Sequence, residues 1–212
     1  HRRRHRLQVQ VDAGAARELV RAQPPAVVVF GSLALRSAAT REAVHAVLGA
    51  SSALRFADLN LRETPELPAL AAMALKLADW VKVNDEELDR LLAWFVCDGP
   101  PPAEGPARRQ ALADLAARFA VQRWIVTCAE RGWFTLDADG RRDASGAAPP
   151  VPQPVDTVGA GDAFSAVVVA GYALQWPLAR SLESAARLAA AVCGVRGAMP
   201  DLSLIHISEP TR

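Results

Sequence analysis

The stretch Asp156-Thr157-Val158-Gly159-Ala160-Gly161-Asp162-Ala163-Phe164-Ser165-Ala166 holds the residues best suited to chemistry. Two glycines flank a small residue where a long helix is expected to begin. The first N–H groups of a helix have no partner within it and carry the positive end of its dipole. With no large side chain in the way, they can approach an anion, most often a phosphate. Asp162 falls in the first turn, beside that anion. It could simply favour the helix dipole, a placement worth up to about 1 kcal/mol. It could also be a base that takes the proton of a hydroxyl attacking a phosphoryl group. Two familiar phosphate-binding signatures do not fit. No Lys follows Gly161 as a P-loop requires, and Phe164 stands where a dinucleotide fingerprint needs its third glycine.

The surrounding pattern must position this turn. Ala26 to Phe30 is a short apolar, β-branched run, the mark of a strand buried on both faces. Further strands are expected at Leu54–Ala57, Trp80–Val83, Trp124–Thr127 and Trp133–Leu136. Helices are expected at Thr40–Leu48 with Thr40 as N-cap, at Glu66–Leu77, at Asp85–Phe95 with Asn84 as N-cap, and at Arg108–Phe119. Two more close the chain, about Ala160–Gln175 and Leu178–Val195. Cys97–Pro106 and Asp137–Pro154 are rich in Gly and Pro and read as loops. Strands alternating with helices predict a mostly parallel sheet covered on both faces. Ligands in such folds bind beyond the carboxyl ends of the strands. That places a site near Gly31, Asp58 to Arg62, Asn84, Thr127 and the loop before Ala160.

Composition narrows the function classes. The 212 residues are 51% hydrophobic and 22% charged, with a net charge of +1. This is too apolar for a disordered chain and carries no global bias toward nucleic acid. No uninterrupted apolar run is long enough to span a membrane. Cys97, Cys128 and Cys193 are odd in number and widely spaced, which argues against a disulfide framework or structural zinc and suggests a reducing cytoplasm. Cys128 reads as a buried small apolar residue rather than a nucleophile. There are 43 Ala, and 22 of the 24 basic residues are Arg, a skew that reads as genomic base composition. The basic run His1 to Arg6 reads as a solvated face, and the lack of an initiating Met suggests a chain that starts mid-protein. From Leu202 to Arg212 the texture changes abruptly (LSLIHISEPTR), so 202–212 is expected to be a non-native tail resembling adapter read-through.

D-T-V-G-A-G-D-A-F-S-A resembles the C-terminal signature of the ribokinase-like (PfkB-type) carbohydrate kinases. Other pieces follow in the family's order. Gly31-Ser32 closes the first strand, Asp58-Leu59-Asn60-Leu61-Arg62 resembles D-x-N-x-R, and Asn84-Asp85-Glu86-Glu87 resembles N-x-x-E. Thr127 to Gly132 resembles T-x-G-x-x-G, with Ala129 where Gly is usual, and Trp133 is large where a small residue is common. Ala190 to Val192 and Gly197-Ala198 resemble the terminal helix and turn. The resemblance spans roughly residues 7–201, a kinase core expected over 1–201, and its texture is closest to the fructokinase-like branch.

The resemblance implies a three-layer α/β/α sandwich lacking the family's N-terminal strands and small lid sheet. It implies a cytoplasmic enzyme that transfers the γ-phosphoryl group of ATP to a sugar hydroxyl, with Mg²⁺ and K⁺ as ions, no nucleic-acid or membrane partner, and a homodimer as the complete protein. Asp162 would be the catalytic base, and the N–H groups of Gly159, Ala160 and Gly161 the anion hole. Asn84, Glu87, Thr127 and Gly132 would serve ATP, with Glu87 reaching Mg²⁺ through water. Asn60 and Arg62 would face the substrate. Asp156, with carbonyls of Val158, Val192, Val195 and Gly197, would hold the monovalent cation. A nucleoside kinase of the same family, or a catalytically silent nucleotide-binding fragment, are the alternatives. Taken without the resemblance, Asn84 and Glu87 could be only a helix cap and its first-turn acid, Arg62 a surface pair, and Trp94, Trp124 and Trp133 core side chains or walls beside an adenine.

Overall fold

The computed structural model describes residues 12–151 and 153–197. The basic run at 1–6, Ala198 and the tail at 202–212 lie outside the described residues. Six strands form one sheet: β1 (Val27–Phe30), β2 (Leu54–Asp58), β3 (Trp80–Asn84), β4 (Arg123–Thr127), β5 (Trp133–Leu136) and β6 (Arg142–Gly146). Their order in the sheet is their order in the chain. β1 to β4 run parallel, and β5 and β6 are added antiparallel. Seven helices accompany them: α1 (Ala13–Ala22), α2 (Ala38–Gly49), α3 (Leu67–Leu77), α4 (Asp85–Phe95), α5 (Gly105–Phe119), α6 (Ala160–Ala173) and α7 (Leu178–Cys193).

The centre of the sheet, β2 to β5, is buried on both faces, as its apolar strands require; β1, expected to be buried on both faces, has only Phe30 buried, and β6 is largely exposed. On one face Leu70, Leu75, Leu88, Leu91, Leu92 and Leu115 pack on Val81, Val83, Trp124 and Val126. On the other, Phe164, Val168 and Leu182 pack on Phe56, Ile125 and Trp133. Trp124 and Trp133 are thus core side chains. Side chains alternate across a strand. Asp58, Lys82, Asn84 and Thr127 therefore share the α6 face with Phe56, Trp80 and Ile125, at the carboxyl ends of their strands.

Three expectations are corrected, and one helix had no counterpart among them. Helix α2 starts at Ala38 with Ser37 in the extended N-cap position; the Thr40 hydroxyl instead donates back to the Ser37 carbonyl. Helix α5 starts at Gly105, because Pro106 lies in the first turn, where its missing N–H costs nothing. The stretch 137–154 is not all loop: β6 forms within it, supported by its ladder with β5. Helix α1, capped by the Asp12 side chain, is an element the apolar pattern did not signal, and it buries no residue fully.

Candidate functional site

A cleft of about 1190 Å³ opens beyond the carboxyl ends of β1 and β2. It is lined by Gly31, Ser32, Asp58, Asn60, Arg62 and, across from them, Asp162 and Ser165 of α6. The Ser32 hydroxyl donates to the Leu59 carbonyl at 2.8 Å, tying the end of β1 to the loop after β2. Asn60 stands at φ 42°, a left-handed backbone that Asn tolerates better than most residues. Asn60 and Arg62 are both exposed.

Helix α6 begins at Ala160, after Gly159 at φ 85°. A side chain at Gly159 would be strained there, so the sharp entry into the helix depends on glycine. No side chain caps this end; the Ala160 N–H reaches back to the Thr157 carbonyl at 3.3 Å, and the Gly159 and Gly161 N–H groups make no hydrogen bond among the described residues. Asp162 sits in the first turn on the cleft wall. The Asp156 carboxylate shapes the approach: it accepts the Val158 N–H at 3.0 Å and the Gly197 N–H at 3.3 Å. Val155 and Asp156 both donate to the Cys193 carbonyl. The segments expected to form a cation site thus meet. The Val192 carbonyl already accepts from Val195 at 3.2 Å.

The groups expected to serve ATP stand one and two strands further along, outside the cleft lining. Asn84 and Thr127 are paired in register at the ends of β3 and β4. Asn84 and Glu87 form a reciprocal capping box: Asn84 Oδ1 accepts the Glu87 N–H at 2.7 Å, and Glu87 Oε2 accepts the Asn84 N–H at 2.9 Å. The second oxygen of Glu87 accepts the Leu61 N–H at 2.6 Å. Both readings of this carboxylate therefore have to start from a structural staple between the loop after β2 and the start of α4. Gly132, at φ 93°, packs so closely on the Gly146 carbonyl and Ala147 that a Cβ would collide with them; its demonstrable task is to close the β4–β5 turn. Ala129 occupies left-handed backbone at φ 49° in the same turn. Arg131 pairs with Asp85, linking this turn to α4. Burial, reinforced by Asp85, pushes the Cys128 thiol above its ordinary value.

Two polar residues in this region had no role assigned from sequence. Lys82 is buried and donates to Asp58, and Ser165 donates to the same carboxylate. A lysine inside an apolar strand, on the same face as Asn84, was the available signal for the first. Ser165 had only its spacing, one helical turn after Asp162.

The cleft at the strand ends of this mostly parallel sheet is walled by a glycine-flanked helix start and a first-turn carboxylate, in an α/β protein. The chain belongs to the pfkB family of carbohydrate kinases, whose model matches residues 13–204. No curated protein matches it. Among solved structures it is similar to aminoimidazole riboside kinase from Salmonella enterica, complexed with aminoimidazole riboside and an ATP analogue: 25% identity, TM-score 0.65, covering 82% of this chain and 58% of that one. It is also similar to fructokinase from Vibrio cholerae O395 in fructose-, ADP- and calcium-bound form, with 23% identity, TM-score 0.63, and 84% and 59% of the two chains covered. Adenosine kinase from Sinorhizobium meliloti gives 21% identity, TM-score 0.66, and coverage of 92% and 55%. The fold is ribokinase-like. The chain spans less than two thirds of the length of each of these relatives. Among the described residues no helix is long and apolar enough to cross a membrane.

Proposed function

We propose that the protein containing this chain transfers the γ-phosphoryl group of ATP to a hydroxyl of a sugar. The observation that carries this reading is Asp162, held in the first turn of α6 beside the uncapped Gly159–Gly161 start and facing Asn60 and Arg62 across the cleft. The acceptor oxygen forms a bond to the γ-phosphorus while the bond to the bridging oxygen breaks. ADP leaves, and the acceptor's proton passes to Asp162. The N–H groups at Gly159, Ala160 and Gly161 stabilise charge on the transferring group, and Arg62 and Asn60 orient the acceptor. Asn84 and Thr127 lie on the nucleotide side.

No three acidic, His or Cys side chains gather as a metal cluster among the described residues. A divalent ion would rest chiefly on the nucleotide's phosphates, as Mg²⁺ commonly does. With both oxygens of Glu87 engaged by amides, its carboxylate fits an outer-sphere role through water. Bound Mg²⁺ would offset charge on the triphosphate. Asp156 and the Val192–Gly197 turn fit a K⁺ role that orders the start of α6. A double mutant of the Vibrio fructokinase holds fructose, ADP and a potassium ion.

A nucleoside acceptor is the second reading, favoured by the similarity to the adenosine and aminoimidazole riboside kinases. The test is ADP release by the full-length protein with fructose, ribose, adenosine and aminoimidazole riboside, with and without K⁺. Turnover with a sugar alone supports the first reading, and turnover with a nucleoside alone supports the second. No turnover with any of them overturns the kinase reading.

A further inference from the structure

Lys82 is one of only two lysines in a chain whose other 22 basic residues are arginine. It lies in the middle of the sheet, 7% exposed, opposite Asp58 in the β2–β3 register. Its Nζ donates to Asp58 Oδ1 at 3.2 Å and Oδ2 at 3.3 Å. These are long for a charge-assisted pair, which settles near 2.7–2.9 Å when optimised. The Ser165 hydroxyl makes the tighter contact, donating to Asp58 Oδ2 at 2.6 Å. An ammonium has three donors, and two at most are used: among the described residues no other acceptor takes the third. A Cβ built at Gly161 would lie 3.0 Å from Nζ. The ammonium therefore stands between a carboxylate on the cleft wall and the start of α6 at Gly161. A buried ion pair is weak grounds for stability, because desolvation offsets its attraction. A compact ammonium also fits beside Gly161 where a guanidinium fork would crowd it.

We propose that Lys82 is a further catalytic residue: its ammonium leaves the loose contact with Asp58 to donate to a non-bridging oxygen of the phosphoryl group in transfer. Asp58 and Ser165 are positioning residues that hold it beside Gly161 when no phosphate is there. Lys82 keeps its proton throughout; it supplies charge, and no bond to it is made or broken. This assignment rests on the kinase reading above.

The test uses the full-length protein. K82M is expected to lower kcat about 10²–10³-fold, the loss typical of one donor to a developing anion, and to abolish any preference for ATP over ADP in calorimetric titration. D58N, which keeps the ammonium, retains that preference. K82M/D58N removes both charges: it is expected to recover wild-type resistance to urea and to stay as slow as K82M. Recovery of kcat together with stability in the double variant would show a purely structural pair and overturn the proposal, as would K82M turning over within a few-fold of wild type. If the wild type phosphorylates no acceptor, the kinase reading fails by itself. Lys82 is then judged on the titrations alone, where unchanged ATP and ADP affinities in K82M overturn its role.

Discussion

The two sides of the site are built differently. On the proposed nucleotide side, Glu87 has each carboxylate oxygen engaged by a backbone amide, Asn84 caps α4, and Arg131 pairs with Asp85. Every group there is tied to the framework before any ligand arrives. On the proposed acceptor side, Asn60 and Arg62 are exposed on a loop of the cleft lining. Among the described residues no ion pair restrains Arg62. Rigidity is concentrated where the reaction's common reactant would sit, and freedom where its variable partner would. A pre-organised half lowers the ordering cost on binding; an unrestrained half can be completed by other contacts.

Asp162→Asn should produce the largest effect, because it removes the base proposed to serve both halves. Turnover should fall by about 10²–10⁴-fold with ATP binding retained, as read by steady-state kinetics and calorimetry. Near-normal turnover would remove Asp162 from the mechanism. Glu87→Ala should strike stability first. It orphans the Leu61 and Asn84 N–H groups, at about 1–3 kcal/mol for each buried donor left unpaired; urea denaturation measures it, and an unchanged midpoint would show that the nucleotide side is not stapled as described. Arg62→Ala should do the reverse. Stability should stay within about 0.5 kcal/mol of wild type, as for an unpaired surface residue, while the KM for the acceptor rises. An equal loss of stability in both variants would erase the contrast.

Ala129→Gly relieves left-handed backbone within the stapled half. Against a strain of about 1–2 kcal/mol stands the added chain entropy of glycine, so a net gain below about 1 kcal/mol is expected in thermal melts. Asp143 gives the smallest effect. Burial raises its carboxyl, but hydrogen bonds from Thr135 and Arg123 outweigh that and hold it below the ordinary carboxylate value. Its contribution is therefore present above the unfolded value and lost as pH falls through the folded one. Asp143→Asn should make the acid limb of the stability profile shallower and leave neutral turnover untouched.

Strand β4 was legible because burial on both faces demands an uninterrupted apolar run, Trp124–Val126; β1 was legible from the β-branched run Val27–Phe30, although it lies at the edge with only Phe30 buried. The cap at Asn84 was legible, with Glu87 as a first-turn acid; the reciprocal bond from Glu87 to the Asn84 N–H came from the structure. β6 was not, because Arg142-Asp143-Ala144-Ser145-Gly146 has no β-branched residue; it is a strand by virtue of what β5 offers it. Glu87's second partner, the Leu61 amide, lies 26 positions away, and Ser165 meets Asp58 across 107. Neither separation leaves a periodic trace. Gly132 shows the opposite limit: its place in a family-like motif suggested phosphate contact, while its backbone angle and the Gly146 carbonyl already account for the glycine.

Because strand order in the sheet repeats strand order in the chain, each pairing joins strands that are close in sequence, and loop closure is inexpensive at every step. These six strands can therefore assemble in the order of synthesis. The two helices that cover Phe56, Ile125 and Trp133 come last, and with them Asp162 and Ser165. A nascent chain halted before residue 160 would present that apolar face uncovered, and would hold Asp58 and Lys82 without the helix they face. Kinase competence and protection from aggregation would thus be acquired in the same late event, when α6 and α7 dock.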